Sequence, residues 1–152
     1  MRGKFISLEG GEGVGKSTQV RALAAVLRAR GLEVVETREP GGSAGAEAIR
    51  ALLLGGDQDR WSARAEALLF AAARTDHVEK TIMPAIERGA WVICDRFLDS
   101  SLAYQGGAGA LGIEQVRRIN LFGIGDSLPD RTLLLLLPEA SERARVRDAG
   151  ES

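Results

Sequence analysis

Gly10-Gly11-Glu12-Gly13-Val14-Gly15-Lys16-Ser17-Thr18 follows the pattern of a glycine, four residues, and then Gly-Lys-Ser/Thr. Before it, residues 4–8 (Lys-Phe-Ile-Ser-Leu) have the apolar, β-branched character of a short buried strand. After it, Val20, Leu23, Ala24 and Leu27 recur at helical spacing. A strand, a glycine-rich loop and a helix in that order form the setting in which such a loop binds phosphate. Glycines let backbone N–H groups approach phosphate oxygens with no side chain in the way. The helix that follows adds its unpaired N–H groups and the positive end of its dipole. Lys16 is placed to bridge β- and γ-phosphates, and the Ser17 hydroxyl to ligate Mg²⁺. The expected nucleotide-binding set is Gly10 to Thr18, with Ser17 as a metal ligand.

The rest of the chain extends this reading. Three further strands are expected at 32–37, 90–94 and 132–137, and helices at 17–30, 44–54, 62–88 and 113–123. Apolar runs without alternation, such as the five leucines Leu133 to Leu137, predict strands covered on both faces. Strands alternating with helices predict a doubly wound α/β parallel sheet with helices on both faces. Ligands of such a sheet gather at the carboxyl ends of its strands. The polar segments 9–17, 38–43 and 95–105 all follow strands. Pro84 is expected to kink or divide the long helical region, and 106–110 (Gly-Gly-Ala-Gly-Ala) reads as a flexible turn.

Bulk properties narrow the partners. The 152 residues are read as one domain, 1–152, and the net charge of −1 gives no electrostatic basis for holding nucleic acid. The single cysteine, Cys94, excludes an internal disulfide, sits in an apolar run and fits a reducing cytoplasm. Neither a signal-peptide pattern nor an apolar run of membrane-spanning length is present, so no membrane partner is expected. The sole histidine, His77, lacks companions for a transition-metal site and is not expected to be catalytic.

Asp95 closes the third apolar run, where a carboxylate helps to hold the Mg²⁺ hydration shell beside Ser17. Arg96 follows it, and a guanidinium fork suits a phosphate dianion. Two phosphate-directed elements imply two phosphorylated substrates. No Asn-Lys-x-Asp segment for reading guanine accompanies them.

These residues resemble the thymidylate (dTMP) kinase family. The resemblance rests on Phe5 through Thr18, Thr37-Arg38-Glu39-Pro40-Gly41-Gly42-Ser43, Leu68-Leu69-Phe70-Ala71-Ala72-Ala73-Arg74, Asp95-Arg96-Phe97 and Ser100-Ser101-Leu102-Ala103-Tyr104-Gln105-Gly106. It runs over essentially the whole chain and implies transfer of the ATP γ-phosphoryl group to dTMP. It further implies that Phe70 stacks on thymine, that Arg74 donates to a base carbonyl, and that Tyr104 lies against the deoxyribose and leaves no room for a 2′-hydroxyl. Ser100, Ser101 and Gln105 complete the pocket, and Arg96 holds the acceptor phosphate. Glu12 reaches the acceptor's 3′-hydroxyl or its phosphate surroundings. Arg38, Glu39 and Pro40 form the rim, with Glu39-Pro40 a candidate cis peptide.

Some members of the family carry an arginine within the phosphate loop, and none stands there in this chain. The substitute expected is a lid over 140–152, with Arg147 first and Arg143, four residues earlier on the same helical face, second. The resemblance implies that the lid runs past Ser152 into a fifth strand, an adenine-contacting loop and a terminal helix, so that 1–152 lacks the C-terminal part. Homodimers are typical of the family, and an apolar helical face around Leu68, Ala72 and Ile82 is compatible with that. The alternatives are a kinase for another nucleoside monophosphate, a nucleotide-dependent ATPase that needs no acceptor, and a truncated binding module without activity.

Overall fold

The computed structural model describes residues 1–136, which form one four-stranded parallel sheet with helices on both faces. The strands are β1 (Phe5–Glu9), β2 (Val34–Arg38), β3 (Trp91–Asp95) and β4 (Arg131–Leu134), and their spatial order is β2-β3-β1-β4. Phe5 pairs with Val92 and Leu8 with Asp95, so β1 and β3 end at the same rim. Two backbone bonds carry the pairing just past the strands: Glu39 N–H donates to the Asp95 carbonyl (3.0 Å) and Arg96 N–H to the Leu8 carbonyl (2.9 Å). The phosphate loop, the segment after Arg38 and the segment after Asp95 therefore leave the sheet side by side.

Each face of the sheet has its own core. Val92, Ile93 and Cys94 are all fully buried, and their side chains alternate between the two sides. Val92 and Cys94 join Phe5, Val78, Ile82, Ile86 and Phe97 on one side, where Phe5 and Phe97 meet edge to face at 4.8 Å. Ile93 joins Leu8, Val20, Ala24, Leu27 and Val34 on the other, beneath α1 (Lys16–Ala29). This is the doubly wound arrangement expected from the apolar runs.

Helices α2 (Ala44–Leu54) and α3 (Ala63–His77) both begin on serine caps, Ser43 accepting from Ala46 N–H and Ser62 from Ala65 N–H. The helical region expected at 62–88 is divided. After α3 a π-helical turn spans Val78–Ile82, and α4 (Met83–Glu87) carries Pro84 in its first turn. Pro84 has no N–H to continue the ladder, and Met83 N–H reaches back to the Val78 carbonyl instead.

Three expectations are corrected. The strand foreseen at 132–137 and covered on both faces is β4, an edge strand whose residues are all exposed, because β1 alone pairs with it among the described residues. Leu135 does pack against the α1-side core. The flexible turn expected at 106–110 is helical over its first three residues: α5 (Leu98–Ser101) runs into a π-helical segment, Leu102–Ala108, and only 109–110 form a turn. Gly106 is buried there, and a Cβ added to it would stand 3.0 Å from Ile113 Cα at the start of α6 (Ile113–Ile124), so the glycine serves close packing rather than looseness. Finally, Ile82 is fully buried in the core and cannot share an exposed face with Leu68 and Ala72.

Ile82→Ala is expected to lower unfolding free energy by about 2–5 kcal/mol. Val26→Ala, at a half-exposed site on α1, is expected to stay within about 0.5 kcal/mol. Urea denaturation followed by circular dichroism checks both.

Candidate active site

The loop after β1 enters α1 through Gly15, which caps the helix at φ 89° and offers no side-chain acceptor. Gly13 sits at φ 75°, another backbone setting that disfavours larger residues. Unlike α2 and α3, which have serine caps and a glutamate in the first turn, α1 has neither. Its first N–H groups and dipole are thus left for an anion. Lys16 is buried and folds over the loop, donating to the carbonyls of Gly10 and Gly11 at 2.9 Å each. The third N–H of its ammonium has no protein acceptor among the described residues and lies at a cavity of about 360 Å³. Glu12, Gly13, Gly15, Ser17 and Thr18 also line that cavity, with Asp95 and Arg96 opposite.

Asp95 and Arg96 are held at this rim by β3. Asp95 Oδ1 is buried and has no hydrogen-bond partner among the described residues, an arrangement that calls for a donor or a hydrated cation in front of it. With the Ser17 hydroxyl beside it, the pair fits Mg²⁺ held partly through water. Among the described residues no cluster of three or more His, Cys, Asp or Glu forms a separate metal cage. Arg96 adopts φ 70°, rare for a residue with a side chain, and its guanidinium lies over the Tyr104 ring at 5.6 Å. The Cys94 thiol donates to the Arg96 carbonyl at 3.0 Å. Burial, followed by the charge of Glu39, pushes that thiol well above its ordinary pKa, so Cys94 is a structural group.

A larger cleft, about 820 Å³, opens on the other side of the Asp95-Arg96 wall. Phe70 and Arg74 from α3 line it, four apart on one helical face, together with Ser100, Ser101, Tyr104 and Gln105. Arg38, Glu39 and Pro40 form its rim, and the Glu39-Pro40 bond is cis. Arg74 is 3% exposed and commits four of its five N–H groups within the protein. Nε donates to Glu39 (2.6 Å), Nη1 to Ser101 (2.9 Å) and Asn120 (2.6 Å), and Nη2 to the Phe97 carbonyl (3.0 Å). One Nη2 hydrogen has no acceptor among the described residues. Gln105, at the cleft wall, likewise has a buried Oε1 without a partner among the described residues.

A family model described as Thymidylate kinase matches residues 8–152. The chain belongs to the thymidylate kinase family. It is 69% identical over 150 residues to a thymidylate kinase of Rhizorhabdus wittichii, an alignment covering 99% of this chain and 72% of that one. It is 53% identical over 137 residues to one from a Bradyrhizobium species, covering 90% of this chain and 61% of the relative. A crystal structure of thymidylate kinase from Ehrlichia chaffeensis superposes with a TM-score of 0.83 at 37% identity, covering 99% of this chain and 86% of that one.

Against the family expectations, the structure gathers most of the named residues around these two cavities. Gly10, Gly11 and Val14 shape the loop rather than the cavity wall; Val14 packs where a Cβ on Gly10 would stand. Ser100 lines the cleft, yet its hydroxyl donates to Glu9 Oε2 (2.9 Å), and the Ser101 oxygen is taken by Arg74. Arg143 and Arg147 lie outside the described residues. Sequence reading missed Glu9, Arg50, Leu54, Glu66 and Asn120. Glu66 stands one turn before Phe70 and lines the same cleft, so extending the one-face argument by a turn would have found it. Asn120 came from a helix with no motif, and nothing local marks it.

Glu9 is buried at the end of β1, where it accepts from Phe97 N–H and from Ser100. Desolvation raises its pKa above the ordinary 4.5, and the two hydrogen bonds only partly oppose that shift. The folded state therefore keeps the Glu9 proton to higher pH than the unfolded chain does. Glu9's contribution to stability is full at low pH and is lost as pH rises through its raised value. Glu9→Gln mimics the protonated group. Its stability relative to the unsubstituted chain is expected to improve from about pH 4 to about pH 7, as read by thermal unfolding at each pH.

Proposed function

We propose that this chain carries the chemistry of a dTMP kinase, transferring the γ-phosphoryl group of ATP to the 5′-phosphate of dTMP. The observation that carries the reading is the shared wall: Glu12, Ser17, Asp95 and Arg96 line both the phosphate-loop cavity and the larger cleft. A triphosphate seated on the loop and a monophosphate nucleoside seated in the cleft would meet across those four residues. The chain spans 72% of the length of the Rhizorhabdus relative and 61% of the Bradyrhizobium one.

The acceptor is already an anionic oxygen, so in-line positioning and charge neutralisation, rather than a strong base, lower the barrier. The α1 N-terminus and Lys16 hold the donor phosphates, and Arg96 holds the acceptor phosphate, with its aliphatic stem and plane set by Tyr104. Phe70 supports the base, Arg74 offers its remaining N–H to it, and Glu12 faces the acceptor from the loop. Mg²⁺, held by Ser17 and through water by Asp95, would supply charge neutralisation at the β- and γ-phosphates. The same reading takes Arg147, then Arg143, as the lid cations that stabilise the transferring group. It also takes 1–152 as one domain of a cytoplasmic homodimer. An apolar groove of about 140 Å³ between α3 and α6, with exposed Leu68, supports the dimer.

An ADP-release assay across dTMP, dUMP, UMP, AMP and GMP tests the function. The highest kcat/KM is expected with dTMP, and faster turnover of AMP or GMP would overturn the assignment. Acceptor-independent ADP release would point instead to an ATPase. Phe70→Ala is expected to raise KM for dTMP about tenfold or more, matching the loss of one base–aromatic stack. Arg147→Ala is expected to lower kcat by about a thousandfold with little change in either KM; an unchanged kcat would exclude it as the acting cation.

A further inference from the structure

His77 is fully buried at the C-terminal end of α3, and the phosphoryl-transfer chemistry makes no use of it. Its two nitrogens are both occupied. Nδ1 lies 2.8 Å from Glu39 Oε2, and Nε2 lies 2.7 Å from the Thr37 hydroxyl. A carboxylate accepts, so Nδ1 carries a proton and donates, which fixes the ring's orientation. Glu39 spends its other oxygen, Oε1, on Arg74 Nε. The run His77 Nδ1–H to Glu39 to Arg74 Nε–H thus ends on a guanidinium that lines the cleft and keeps one N–H without an acceptor among the described residues. Gly42 presses on the ring from the opposite side: a Cβ there would stand 2.2 Å from Nε2. The imidazole has no room to rotate away.

The geometry points to His77 as a positioning residue for the acceptor base. By holding Glu39 Oε2, it sets the plane of the carboxylate, which sets the rotation of the Arg74 guanidinium and so the direction of its free N–H. This assignment rests on the dTMP reading above. A carboxylate fixed at one oxygen alone can swing about its terminal torsion, which is broad. Arg74 would then keep its charge and burial but lose its aim.

The two nitrogens can be separated by substitution. Asn at 77 places an amide N–H near the Nδ1 position, and Gln places its amide near Nε2. H77N is expected to bind dTMP within about threefold of the unsubstituted chain, whereas H77Q is expected to bind about tenfold more weakly, the loss of one charge-assisted hydrogen bond. Both keep their affinity for the ATP analogue adenosine 5′-(β,γ-imido)triphosphate, measured by calorimetry alongside thermal unfolding. A role confined to filling the core predicts equal effects of H77N and H77Q on dTMP binding, and that result would overturn the inference. Because His77 is the sole histidine, its imidazole ¹⁵N signals also report without any substitution. Addition of dTMP is expected to shift them while the ATP analogue leaves them in place; signals indifferent to dTMP would equally overturn it. Failure of the unsubstituted chain to bind dTMP, with another nucleoside monophosphate bound instead, would overturn the underlying dTMP reading.

Discussion

The buried ion pair between Arg74 and Glu39 ties this molecule together. A guanidinium 3% exposed is stable only where its charge and its N–H groups are met. Here the partners come from four separate elements: Glu39 after β2, Phe97 after β3, Ser101 in α5 and Asn120 in α6. The Phe97 ring, 5.3 Å away, covers the guanidinium. Removing either member of such a pair leaves an uncompensated buried charge and costs about 3–5 kcal/mol. The segments that make the cleft are therefore located by one side chain, and the cleft inherits its shape from that network.

The same economy governs the rim. Asp95 ends β3, and Glu39 and Arg96 follow strands whose hydrogen-bonding continues one residue past their ends, so all three backbones are fixed by the sheet itself. What each side chain lacks is as informative as what it has. Among the described residues α1 lacks a side-chain N-cap, Asp95 Oδ1 and Gln105 Oε1 lack partners, and Arg74 keeps one N–H. In a well-packed interior such deficits are few. These belong to residues that line the two cavities.

Much of this was legible locally. The loop from Gly10 to Thr18 names its task because glycine backbone freedom, a lysine and a hydroxyl are all required at fixed spacing. Pro84 announced the break between α3 and α4 because a missing N–H has a local consequence. The leucines from Leu133 were misleading, since an apolar run states a preference for burial and not whether a neighbour is there to provide it. The segment 106–110 was misleading for the opposite reason: Gly106, which read as looseness, is there to let α6 approach.

The sequence by itself determined the glycine-rich loop between strand and helix and the alternation of strand and helix, because both are written in short-range spacing. Only the tertiary structure decided that Arg74 is mostly committed to the protein, that Ser100 serves Glu9, and that His77 and Asn120 stand behind the cleft. Those partners lie between 23 and 91 residues apart along the chain. Hydrogen-bond satisfaction in a buried site is a property of what the fold brings together, and no local pattern encodes it.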